Sequence, residues 1–238
     1  MLLKVNTQHK IFQMKGITRN LNTKNNADTM KASAVTPGRA QKSPSRGGAG
    51  GRMEIILCHL EEKLGLAWCQ LLATQPKIQA TVLSGDITCL SVDAVVSPAN
   101  SFGFMDGGVD LGYSHTMGWQ VQGRLQKRIK ALPCQELLVG QALSVRTGYK
   151  KIPWLIAAPT MRVPCRLPDG LPVYLAARAA TIEAVRIGAA SVAFPGLGTG
   201  TGGVPYEIAA RLMIQGIHEG LYGKNFPGSL RELFMLVV

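Results

Sequence analysis

The sequence predicts an α/β protein, a three-layer α/β/α sandwich. Short apolar runs of strand length alternate with longer amphipathic stretches over about 185 residues from Met53 onward. Several of the strand-like runs are apolar throughout, as strands covered on both faces of a sheet are. Three of the connections that follow strands are rich in glycine or carry a carboxylate, and it is outside the carboxyl ends of strands that such sheets place their binding loops.

The elements follow in order. Glu54-Ile55-Ile56-Leu57-Cys58 is a short apolar strand. Residues 61–73 begin with acids and continue with apolar residues at helical spacing, an amphipathic helix. Thr81-Val82-Leu83 and Ala94-Val95-Val96 read as buried strands. A single mixed helix is expected over residues 109–129, ended by Leu132-Pro133. Residues 142–146 and 154–158 are further strands. Residues 173–189 form the clearest helix: at about 100° per residue Arg178, Glu183 and Arg186 share one polar arc of about 140° and leave the remainder apolar. Ser191-Val192-Ala193-Phe194 reads as a strand, residues 206–219 as a helix and residues 233–238 as a last strand. No fixed-period repeat is present.

Charge separates the chain into two parts. Residues 1–52 hold ten Lys/Arg against the single acid Asp28, +9 of the formal +12, which leaves +3 for residues 53–238. The first 52 residues, ending in a Pro/Ser/Gly/Arg run, read as a disordered basic tail or leader, because they offer too little apolar surface to offset their ordering entropy. A mis-set start at Met53, a transit peptide and a nucleic-acid or membrane-surface arm all fit them. The body is nearly neutral, and a nucleic-acid groove needs a cluster of positive charge on the folded part, so the basic isoelectric point describes the tail. The five cysteines have no C-x-x-C pair and the four histidines are scattered, so neither a disulfide framework nor a zinc site is expected. The most apolar stretch is broken by Arg178, Glu183 and Arg186, which excludes a single membrane-spanning helix there. A soluble, cytoplasmic protein is expected, or an organellar one if residues 1–52 are a transit peptide.

Three loops carry chemistry. Ser84-Gly85-Asp86-Ile87-Thr88 offers a carboxylate and backbone amides after a strand; Asp86 suits an amino group such as that of adenine, or a turn cap. Residues 97–110 (SPANSFGFMDGGVD) leave a buried strand and enter a helix near Gly107-Gly108-Val109. Glycines in that position let backbone N–H groups approach a phosphate. Asn100 has donor and acceptor for sugar hydroxyls, or for an Asx turn, and Asp110 stands ten residues later, where it also complements the helix dipole. The third loop, residues 195–205, holds five glycines, at 196, 198, 200, 202 and 203. It contains G-x-G-x-x-G, but no acid follows a later strand to hold a ribose, which disfavours a dehydrogenase.

With these loops together the sequence resembles the macro domain, the ADP-ribose-binding module. Gly85-Asp86-Ile87-Thr88 is similar to that family's GDI-[TV] loop. Ala99-Asn100 with Gly107-Gly108-Val109-Asp110 is similar to its N-A-A-N…G-G-G-V-D loop at the same ten-residue step. Gly140-Gln141-Ala142 is similar to the G-E-A before a middle strand, and Gly198-Thr199-Gly200 with Gly202-Gly203 and Pro205 to its second phosphate loop.

The resemblance implies a central mixed, mostly parallel sheet, a macro-like domain over residues 53–238, and roles for individual residues. Asp86 would bind the adenine amino group with the Ile87 amide beside it. Gly107, Gly108, Val109 and the backbone of Gly198, Thr199, Gly200, Thr201, Gly202 and Gly203 would cradle the diphosphate. Asn100 and Asp110 would be the catalytic pair of an ADP-ribosyl hydrolase or related ADP-ribose phosphoesterase, Asp110 holding or activating the water that attacks the distal ribose. The implied partners are ADP-ribose or an ADP-ribosylated protein or nucleic acid, with no cofactor, metal or membrane, in a monomeric protein. The departures are Ser97-Pro98 in place of Asn-Ala, Phe104-Met105-Asp106 in place of glycines, which makes the loop stiffer, and Gly202 where an aromatic often stacks on the distal ribose. These favour a second expectation, a non-catalytic ADP-ribose reader. A third is nucleic-acid binding through the basic tail.

Overall fold

The computed structural model describes residues 53–223 and 226–235. The expected tail over residues 1–52 lies outside the described residues. The elements in chain order are β1 (Glu54–His59), α1 (Glu62–Thr74), β2 (Ala80–Ser84), a 3₁₀ turn (Ile87–Cys89), β3 (Ala94–Ser97), α2 (Gly108–Met117), α3 (Gln120–Lys130), β4 (Leu143–Tyr149), β5 (Ile152–Ala157), α4 (Leu171–Arg186), β6 (Ser191–Phe194), α5 (Tyr206–Tyr222) and α6 (Leu230–Phe234).

The six strands form one sheet in the order β2-β1-β6-β3-β5-β4, parallel throughout except for β4, which runs antiparallel to β5. Side chains alternate across it. Ile55, Leu57, Val96 and Phe194 point into a core shared with α1, α4 and α5. Ile56, Cys58, Val95 and Ala193 point into a second core shared with α2 and α3. Helices thus cover both faces, the expected three-layer sandwich with its mixed, mostly parallel sheet. β1 is buried at four successive positions because it sits inside the sheet.

Four elements depart from the sequence expectation. The single helix over 109–129 is two helices, because Gly118 at φ +87° breaks the chain after Met117. β2 is half exposed rather than buried, since it is an outer strand. On α4 Glu183 is buried, held by Arg186 and by the Ser144 amide, whereas Ile182 and Val185 face solvent. Leu233 and Phe234, expected in a last strand, belong to the short helix α6, none of whose residues is buried; residues 236–238 lie outside the described residues.

Candidate functional site

Because β1, β2, β3, β5 and β6 are mutually parallel, their carboxyl ends share one edge of the sheet, and the loops that follow them meet there. The register sets the first contact: the Gly85 amide donates to the His59 carbonyl (2.9 Å), tying the loop after β2 to the end of β1. Asp86 then caps the 3₁₀ turn, its Oδ1 accepting from the Thr88 amide and hydroxyl, both at 2.8 Å. Asp86 is exposed, and Ile87 is buried beneath it. Thr88 meets α2 at Gly112, where an added Cβ would lie 3.6 Å from the threonine methyl. The first and second loops are therefore packed together.

The second loop is pinned along its length. The β3–β5 ladder runs on past the strand ends: Ala158 donates to Ser97 O, Thr160 to Pro98 O, and Ser101 to Arg162 O, with a bridge between Asn100 and Met161. The Asn100 carboxamide serves the loop itself. Its Oδ1 accepts from the amides of Phe102 and Phe104, and its Nδ2 donates to the Phe104 carbonyl. Gln122 of α3 accepts from the Met105 amide (2.7 Å), and Ser114 of α2 donates to the Met105 carbonyl (2.9 Å). Met105 is wholly buried, and Gly107 and Gly108 are left exposed at the start of α2, Gly108 at φ +54°. Arg162 is committed elsewhere: it forms a two-bond ion pair with Glu136 and lies 5.2 Å over the Phe102 ring.

Asp110 stands in the first turn of α2 but turns inward, 7% exposed. Burial pushes its carboxyl up to about 7, and the Ser97 hydroxyl at the end of β3 offsets part of that shift. The pair lacks good hydrogen-bond geometry, since Ser97 Oγ and Asp110 Oδ1 are both buried without a partner. Below them Tyr113 donates to the Val96 carbonyl (3.1 Å). The Tyr113 hydroxyl is held far above its usual range, first by burial and then by the charges of Asp110, Cys58 and Asp86. The carboxylates of the first and second loops thus act on one buried phenol, whereas no hydrogen bond links Asn100 to Asp110.

The third loop closes on itself between β6 and α5. Val204 donates to Gly198 O (3.1 Å), Gly203 to Gly200 O (3.0 Å), and Thr199 to Gly196 O (3.3 Å). Gly202 is buried, and an added Cβ would lie 2.5 Å from the Gly198 carbonyl, so no side chain fits there. The missing aromatic is thus imposed by the loop's own closure. Gly200 and Thr201 are exposed at the tip. Leu167 donates to Gly202 O (2.9 Å), which draws the segment after β5 against the loop. Arg166 follows it: an added Cβ on Gly203, itself at φ +67°, would lie 2.6 Å from the Arg166 guanidinium.

Three residues outside the expected site set belong to this edge. Leu60, 79% exposed, follows β1 between the first and third loops. Gln122 holds the second loop from a helix that composition alone marks only as amphipathic. Arg166 lies against the third loop in a segment without a recognisable motif. Two surface concavities, lined by Leu71, Gln75, Lys77 and Arg211 or by Gln70, Thr74, Glu207 and Ile208, lie between α1 and α5 and include none of the three loops.

The comparisons with known proteins agree with this geometry. The model of the macro domain family matches residues 96–213, from the end of β3 into α5. An uncharacterized protein of Aquifex aeolicus is 37% identical over 138 residues, covering 58% of this chain and 80% of that protein. An uncharacterized protein of Mycobacterium tuberculosis is 30% identical over 161 residues, 67% of this chain but 41% of that longer protein. Among solved structures, the Oceanobacillus iheyensis macrodomain with ADP has a TM-score of 0.52 at 22% identity, covering 59% of this chain and 75% of that one. The macrodomain of Mycobacterium tuberculosis DarG has a TM-score of 0.51 at 22% identity, covering 58% and 89%. The chain belongs to the macro domain family.

Proposed function

We propose that the protein binds ADP-ribose, free or attached to a target, across the three loops, and hydrolyses the bond at the distal ribose. Asp86, with Oδ2 free of any bond among the described residues, receives the adenine amino group beside the Ile87 amide. The backbone of Gly107, Gly108 and Val109 and that of residues 198–203, exposed at Gly107, Gly108, Gly200, Thr201 and Gly203, holds the diphosphate. Arg166 adds a charge-assisted bond to it.

The observation that carries hydrolysis is Asp110: a buried carboxyl, unpartnered at Oδ1, at the mouth of α2 and raised to about 7. A carboxylate with that affinity for protons takes one from water near neutral pH far better than an ordinary aspartate does. Water attacks the anomeric carbon, that carbon's bond to the leaving oxygen breaks, and the proton taken by Asp110 returns to the departing group. Hydrolysis of a mono-ADP-ribosylated protein by the purified chain, abolished in Asp110→Asn, is the expected result. Equal turnover by the two proteins overturns the assignment.

A second reading, a reader that binds without turnover, is favoured by Asn100, whose carboxamide makes three bonds inside its own loop. Tight ADP-ribose binding with no turnover of any conjugate selects it.

A further inference from the structure

The near-neutral body is neutral only in sum. Residues 120–151 hold seven of the sixteen Lys/Arg in residues 53–238 and one of the thirteen carboxylates. All seven cations are exposed, and the fold brings them to one edge. β4 is the outer strand at one side of the sheet, opposite β2, and α3 lies along it. Arg124 donates to the carbonyls of Arg146 (3.0 Å) and Thr147 (2.7 Å), and Arg128 donates to that of Ser144. These bonds satisfy open edge carbonyls, but they leave the positive charge standing. Lys127 shares an arc of about 100° with both arginines on α3, and Lys130 continues the helix. Arg146 is stacked 3.8 Å over Trp154, and Lys150 and Lys151 form the turn from β4 to β5.

No carboxylate among the described residues pairs with any of the seven. The acids of the neighbouring elements are committed: Glu136 to Arg162, Glu183 to Arg186, and Asp93 to the amides of Ala190 and Ser191. Like charges gathered without counter-charge repel one another, and the repulsion is relieved by a polyanion that follows the ridge.

We infer that this ridge binds nucleic acid through its phosphate backbone, without reading sequence. Trp154 lies under Arg146, which covers that ring against base stacking, and Trp119, 49% exposed, stands at the N-cap of α3 outside the run of cations. The exposed side of α3 carries no large apolar residue, which argues against insertion into a lipid surface and against the apolar centre of a protein interface. The ridge shares no residue with the three loops and stands independently of the ADP-ribose reading.

The test is fluorescence anisotropy of the full chain with labelled single-stranded RNA and duplex DNA of about 20 units, at about 50 and about 200 mM salt. The expected result is binding that weakens at least roughly tenfold between those salts. The variant Lys127→Glu/Lys130→Glu/Lys150→Glu/Lys151→Glu, which touches none of the edge-capping bonds, should bind about thirtyfold more weakly with melting temperature and ADP-ribose affinity unchanged. Wild-type affinity in that variant would place the binding in residues 1–52 and overturn the proposal. So would no binding at the lower salt, or anionic phospholipid vesicles held as tightly as nucleic acid.

Discussion

The Ser97 hydroxyl and the Asp110 carboxyl lie together in the buried space between the end of β3 and the first turn of α2, and each keeps an oxygen without a hydrogen-bond partner. A buried oxygen left without a partner costs stability, and here two such oxygens share one space at the edge where the three loops meet.

The pH dependence of stability follows from Asp110. Its folded value, about 7, lies above the ordinary carboxylate value, so from about pH 4 to 7 the folded chain holds a proton that the unfolded chain has released. This group's contribution is full in acid and falls as pH rises through 7, by up to about 4 kcal/mol. Urea titrations of wild type and Asp110→Asn between about pH 3.5 and 8.5 should show that loss in the first protein, spread over about pH 4 to 7, and a flatter curve in the second.

Ser97→Ala removes the one group that draws the Asp110 value down. The midpoint of the same stability curve, and of the pH–rate profile for hydrolysis, should therefore move to higher pH. A midpoint that stays in place or moves down separates the two residues.

Asp86 has a structural and a binding role that two substitutions divide. Asp86→Asn keeps an oxygen for the Thr88 amide and should melt near wild type while losing ADP-ribose affinity. Asp86→Ala loses the cap as well, at about 1 kcal/mol. Thermal melts beside calorimetry distinguish them.

In the third loop, Gly202→Ala drives a methyl onto the Gly198 carbonyl and should cost about 1–3 kcal/mol. Arg166→Ala leaves the fold intact and should weaken ADP-ribose roughly tenfold, about 1.4 kcal/mol, with a shallower salt dependence. Unchanged affinity in the arginine variant would confine diphosphate recognition to the backbone.

The sequence made the layers and the three loops legible because each rests on local pattern. Apolar runs at 55–58 and 94–96, the helical spacing of 173–189 and the glycines near 107 and 200 are all readable within a window of a few residues. Contacts between distant segments were not readable. The neighbours of β1, which decide that β2 is the outer strand and that Leu60 lies between two loops, are separated from it by up to 140 residues. Glu183 reads as surface by its charge and is buried because Ser144 and Arg186 satisfy it. Gly202 reads as a lost aromatic and is a packing requirement. Asn100 reads as a sugar ligand or an Asx turn, and its carboxamide bonds to Phe102 and Phe104 are of the second kind. The charge ridge vanished in the net charge, since only the fold places α3 beside β4.

Calorimetric titration of the full chain with ADP-ribose, with AMP alongside and Asp86→Asn as the matched variant, is the most direct test of the central claim. The account predicts micromolar binding, about −8 kcal/mol, that exceeds AMP binding and is lost in the variant. No heat at millimolar ADP-ribose, or equal affinity in the variant, would contradict it.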